Sequence, residues 1–207
     1  YQLGGSVCLR IAPDAFNAVP GKPFAYWVSD SVRGKFSAYS PLSRQVFLGK
    51  GPDTGDDFRF LRTNWETDGN RGRWVAHPKG GVFSQFYSDA VLCIDWLKQG
   101  CGVALVGNMR NPDFMGRAGL TWSRRTSSKL SVRALPAGCI FADKGPAGFV
   151  HDDAPESILA VIALTNSSAF LNLVELQLAA ADAAARSYEV GVIQRTPMPE
   201  LSTVQGN

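Results

Sequence analysis

Histidine is almost missing from this chain, and no familiar arrangement of cysteine is present. Only His77 and His151 occur in 207 residues, and the four cysteines, Cys8, Cys93, Cys101 and Cys139, form no C-x-x-C pair. No zinc-ligand spacing follows from these six positions, and acid–base chemistry has little to draw on besides Glu and Lys. Isolated thiols of this kind are expected to be buried and reduced, as in a cytosolic protein, rather than joined in disulfides. There is no G-x-x-x-x-G-K-[ST] loop and no G-x-S-x-G elbow. No apolar run reaches membrane-spanning length, the longest candidate being residues 158–164. The chain starts at Tyr1 with no charged-then-apolar leader, the pattern expected of a piece of a longer or processed polypeptide without a signal peptide.

Positive charge is scarce in one part of the chain and abundant in the other. Residues 1–150 hold nineteen basic and eleven acidic residues, a balance of +8, whereas residues 151–207 hold two and seven, a balance of −5. A basic body attracts phosphate backbones, and an acidic tail avoids them. With 45% hydrophobic and 19% charged residues the composition excludes disorder, and the length suffices for a real core.

The pattern predicts a β-rich body over residues 1–150 and a helical part over residues 151–207, packed on the same domain. Residues 49–55 read as a loop. Strands are expected at residues 58–65, 73–76, 83–87, 91–96, 103–106, 130–135 and 139–142, punctuated by glycine and proline turns. After His151 the apolar spacing becomes helical. Pro155 suits a first helical turn, Glu156 suits its positive end, and residues 165–168 (TNSS) break the run into two helices. A return strand is expected at residues 190–195. The fold class is α+β: a twisted, largely antiparallel sheet or partial barrel, then a helical pair and a return strand.

Candidate chemistry is thin. Asp56–Asp57 and Asp152–Asp153 are adjacent carboxylates in or beside loops, best explained as caps or turns. Residues 111–114 (NPDF) approach the Asn-Pro-Pro-Tyr/Phe signature of adenine amino-methyltransferases, but Asp113 replaces the second proline and no glycine-rich cofactor loop precedes it. A plain Asn-Pro turn is the expectation. In TGDDFRFLR, residues 54–62, Arg59 and Arg62 would face opposite sides of a strand, one free to touch backbone phosphate and the other bracing Asp56, Asp57 or Glu66. Residues 110–144 carry seven basic residues against Asp113 and Asp143. Within them Trp122, Arg124, Arg125, Thr126, Ser127 and Lys129 interleave an indole, guanidinium forks and hydroxyls, the mixture that contacts sugars, base edges and phosphates. Arg110 and Lys144 flank this segment, and Lys79 beside Gly80–Gly81 forms a second basic turn.

Six blocks carry a resemblance: GKGPDTGDDFRFLRTNWE, RWVAHPKGGVFSQFY, VLCIDWLKQG, GLTWSRRTSSKLSVRALPAGCIFADKGPAGF, LTNSSAFLNLVELQL and SYEVGVIQRTPMP. In order, from about residue 24 to residue 199, they resemble the C-terminal specificity region of large adenine-specific DNA methyltransferases of BREX phage defence and type IIG restriction–modification. The resemblance implies a target-recognition region that binds double-stranded DNA sequence-specifically and works with the methyltransferase domain of the same polypeptide. It implies S-adenosylmethionine for the full-length protein, bound upstream, with no cofactor, no catalytic residue and no activity in this stretch, and a cytoplasmic location. Two other readings stay open: a module that binds a partner protein through its helical face, and a small enzyme working through Asp, Glu or Lys.

Overall fold

A computed structural model of the protein describes residues 13–23, 27–67, 72–178 and 186–201. Cys8 and the alanine-rich stretch after Leu178 lie outside the described residues.

The centre is a four-stranded antiparallel sheet built from β1 (Val46–Gly49), β5 (Gly119–Trp122), β7 (Val132–Leu135) and β8 (Ala147–Val150), in the order β1-β8-β5-β7. A second antiparallel sheet places β4 (Leu92–Asp95) between β2 (Leu61–Thr63) and β3 (Trp74–Ala76), and a two-residue ladder joins β6 (Arg125–Thr126) to β9 (Arg186–Ser187). All three sheets are open, and with the helices they make an α+β fold. Every residue of β5 and β8 is buried, so neither strand alternates apolar with polar. Sheets covered on both faces have that property.

Helix α1 (Asp30–Ala38) packs on the short turn of helix at Pro13–Ala18, and the helices after residue 154 cover the central sheet. Helix α4 (Pro155–Thr165) starts as its residues require, with Ala154 as cap, Pro155 in the first turn, and Asp152 accepting hydrogen bonds from the Ala154 N–H and the Ser157 hydroxyl. Its break with α5 (Ser168–Gln177) falls where the TNSS run predicts, and the two helices meet at 64°. Ile158, Val161, Ile162, Phe170 and Val174 share one core with Val46, Leu120, Trp122 and Val132. Asn166 locks the joint. Its amide accepts from Val132 N (3.0 Å) and donates to Val132 O (2.7 Å), as a neighbouring strand would. No single helix among the described residues is long and apolar enough to cross a membrane.

Ser167 caps α5, accepting from Phe170 N at 3.2 Å while its hydroxyl donates to Leu164 O at 2.6 Å. Ser167→Ala is expected to lower the unfolding free energy by about 1 kcal/mol, read from urea melts.

Several predicted strands fold differently. Residues 58–65 begin as a single helical turn, α2 (Asp57–Phe60), capped by Asp56, whose carboxylate accepts from Arg59 N. Asp56 is thus the cap its position suggested, and the strand begins only at Leu61. Residues 103–106 end a helix, α3 (Leu97–Val106), entered through left-handed Lys98, Gln99 and Gly100; only Val103 of those four is buried. Residues 190–195 are helix α6 (Val190–Arg195), and the chain returns to sheet just before, at β9. Short apolar runs carry too few periods to separate strand from helix. Residues 83–87 and 139–142 lie in no ladder; Phe86 makes one isolated bridge to Arg133.

Candidate nucleic-acid interface

Two turns far apart in sequence meet beside the central sheet. Residues 77–81 carry Lys79 and the positive-φ pair Gly80 and Gly81; residues 143–146 carry Lys144. Contact is backbone to backbone: a Cβ on Gly145 would collide with the Pro78 carbonyl and the Gly80 nitrogen. Only glycine permits that approach.

Around the turns basic side chains converge on shared acids. Buried Asp143 accepts from Arg110 Nη1 at 2.9 Å and Arg124 Nη1 at 2.8 Å. Glu189 lies 3.6 Å from Arg124 Nε and 3.0 Å from Lys50 Nζ. Three cations thus share two carboxylates, which holds the guanidinium forks in place and leaves positive charge over. Lys79 pairs with Asp57, which also accepts from the Thr54 hydroxyl. Burial opposes ionisation of Asp57, but the hydrogen bonds from Lys79 and Thr54 outweigh it and hold its carboxyl below the usual range. Asp57 so ties the TGDDFRFLR block to the 77–81 turn.

The structure therefore gathers Lys79, Arg110, Arg124 and Lys144. Arg125 and Lys129 are exposed on the adjoining hairpin with Ser127, and Thr126 is half-buried there. Arg59 and Arg62 share no carboxylate with that group. Because Arg59 lies in a helical turn and Arg62 in the strand that follows it, the opposite-faces argument does not hold. Arg62 Nη1 donates to Phe58 O (2.7 Å) and Leu61 O (2.6 Å), and its guanidinium lies 5.6 Å from the Trp74 ring centre. That is a helix-end clasp. Exposed Arg59 lies over the Phe60 ring, and neither arginine forms an ion pair with Asp56, Asp57 or Glu66.

Trp122 also departs from its expected role. It is fully buried, and its indole N–H donates to Tyr188 O at 2.9 Å, so its ring is not presented to a ligand. Phe114 of the NPDF run stacks on Phe47 with centroids 3.9 Å apart, while left-handed Asn111 donates to Lys50 O. The run is a structural turn.

No family model matches the chain. Two curated bacterial proteins are similar to it. The adenine-specific methyltransferase PglX of Lacticaseibacillus casei (strain Zhang) is 25% identical over 92% of this chain. The adenine-specific methyltransferase BrxX of Escherichia coli O9:H4 (strain HS) is 26% identical over 73% of it. The chain spans only 17% and 13% of those proteins' lengths.

The residues that sequence reasoning passes over are those that organise the cations. Asp143 is one of two acids in a basic run, and Glu189 sits in the acidic tail, yet both belong to the cluster. His77 is buried, with Nδ1 2.7 Å from Ile140 O. Arg133 is also buried, bonded to Val82 O and Ser123 Oγ. Among the described residues, no three His, Cys, Asp or Glu side chains gather as a metal site would require.

Proposed function

We propose that this chain is the target-recognition part of an N6-adenine-specific DNA methyltransferase, binding duplex DNA sequence-specifically while another part of the polypeptide binds S-adenosylmethionine and transfers the methyl group. The observation that carries the reading is the gathering of Lys79, Arg110, Arg124 and Lys144 around two touching turns. The similarity to two adenine-specific methyltransferases supports it. On this reading the exposed Arg125, Lys129 and Lys144 meet phosphates, and the Asp143-braced forks of Arg110 and Arg124 are preorganised to read base edges or phosphates. The helical-face alternative is disfavoured by packing, since Ile158, Val161, Ile162, Phe170 and Val174 are spent on the chain's own sheet.

Binding should be weak and steeply salt-dependent. Arg125 and Lys144 are the better probes, because they are exposed and in no ion pair among the described residues, whereas removing Arg124 would also take a partner from both Asp143 and Glu189. The double variant Arg125→Ala/Lys144→Ala is expected to bind duplex DNA about tenfold more weakly at low salt. The slope of log affinity against log salt should be shallower by about two, one for each lost phosphate contact. Anisotropy titrations across a salt series measure both, and an unchanged slope counts against the surface.

A further inference from the structure

The 77–81 turn, with Lys79 of the cationic cluster, lines a pocket of about 360 Å³. It runs from the turn under residues 87–92 to Thr121 and Arg133 of the central sheet. Its size suits a nucleotide better than an ion.

Arg133 dominates one side of it. The side chain is buried, yet no carboxylate pairs with it among the described residues. Its hydrogen-bond partners are neutral: Nη1 donates to Val82 O at 3.2 Å and Nη2 to Ser123 Oγ at 2.8 Å. The Ser123 hydroxyl in turn donates to Gly81 O at 3.0 Å, which fixes the fork beneath the glycine turn. A guanidinium has five N–H donors, and two are engaged in these bonds. Holding a buried cation without a counter-charge is unfavourable, and an incoming anion removes the penalty. The bare backbone of Gly80 and Gly81 lines the pocket too, a Cβ on Gly81 falling 3.8 Å from Arg133 Nη1, as does Lys79, whose ammonium is shared with Asp57.

Other lining residues differ in chemistry, the Asp89 carboxylate among them. Tyr87 lines the pocket with 61% of its surface exposed, its hydroxyl donating to Asp89 Oδ1 at 2.6 Å. Next to it Phe86, also exposed, holds φ at +69° while its N–H and carbonyl bond to Val132 and Ala134 on either side of Arg133. A bulky residue with positive φ is a local strain, and such strain collects at ligand clamps. The bridge sets the aromatic loop directly beside the buried arginine. His77 lines the pocket as well, and its Nε2 has no hydrogen-bond partner among the described residues.

We propose that this pocket is a nucleotide site, with the phosphate taken by Arg133 and Lys79 under the Gly80–Gly81 turn and the base covered by Tyr87. The nucleotide is either free or a single unstacked unit of a DNA strand, and the second source rests on the DNA-binding reading above. A buried cation and an exposed aromatic lining one cavity are the pairing that takes a phosphate and a planar base together.

The test titrates the 207-residue chain with four ligands: dAMP by calorimetry, and an intact duplex, the same duplex with one bulged adenosine, and a poly-glutamate peptide by anisotropy. The chain should bind dAMP, Arg133→Gln at least tenfold more weakly and Tyr87→Ala about fivefold more weakly. Both variants should keep the wild-type affinity for intact duplex. Should Arg133→Gln not fold, exposed Tyr87→Ala alone decides. A bulged duplex held more tightly than the intact one, with the difference lost in Tyr87→Ala, assigns the nucleotide to a DNA strand. Binding of dAMP without that difference assigns the free nucleotide. No dAMP binding, wild-type affinity in the variants, or equal binding of poly-glutamate overturns the site. Failure of the intact duplex to bind, with dAMP still bound, instead overturns the DNA reading and leaves the pocket standing.

Discussion

Trp122→Ala is expected to remove about 3–5 kcal/mol of folding stability. The indole is fully buried among Leu120, Leu130, Val132 and the helix residues Val161 and Ile162, and it is hydrogen-bonded to the carbonyl of Tyr188, which is itself fully buried. Truncation both empties volume at the joint of strand and helix and strands that carbonyl. Trp122→Phe separates the two effects. A phenyl ring fills most of the volume but cannot donate, so about 1–3 kcal/mol should still be lost. Urea melts of the two variants give the comparison. A tryptophan that packed against DNA would behave oppositely, with stability nearly unchanged and affinity sharply reduced. A loss below about 1 kcal/mol for the alanine variant would contradict a typical buried-aromatic cost and restore the ligand-facing role.

That contrast shows why part of the site was legible in the sequence and part was not. Basic residues interleaved with hydroxyls and an indole look alike whether the strand carrying them faces solvent or core. Pattern resolves the two only when apolar and polar residues alternate, and β5, buried along its whole length, gives no alternation. The helical pair was legible because its signals are local: Pro155 in a first turn, Ser167 as a cap, and apolar residues at helical spacing. Residues 190–195 and 103–106 were not, since each is too short to show a period. Lys79 and Lys144 could be picked individually, but their proximity arises from Gly145 meeting the Pro78 carbonyl across 67 positions of sequence. Arg133 was one of seven basic residues in its segment. Only burial without an acid distinguishes it, and burial is a property of the fold.

His77 makes the chain's stability depend on pH in a window where few other groups titrate. Burial is the main reason its pKa falls to about 4; the hydrogen bond to the Ile140 carbonyl works the other way, Lys79 depresses it further, and Asp57 raises it. In the unfolded chain the imidazole titrates near its ordinary value of about 6.5. Between these values the unfolded state binds a proton that the native state refuses, so stability falls as the pH falls. The contribution is complete above about pH 6.5 and lost by about pH 4, and a shift of this size corresponds to about 3 kcal/mol. Asp57, held below the usual range by Lys79 and Thr54 against the effect of burial, and Asp95, held there by Arg73, lose their contributions at lower pH. His77→Asn retains a donor for the Ile140 carbonyl and does not titrate, so its urea-unfolding free energy should be nearly flat from pH 6.5 to pH 4.5 while that of the wild type declines. Parallel curves would mean that His77 is solvated and charged in the folded chain. The same neutrality bears on the pocket. With Nδ1–H committed to a carbonyl, His77 contributes no cation at pH 7; Arg133 supplies the positive charge there that no carboxylate among the described residues balances, and Lys79 is paired with Asp57.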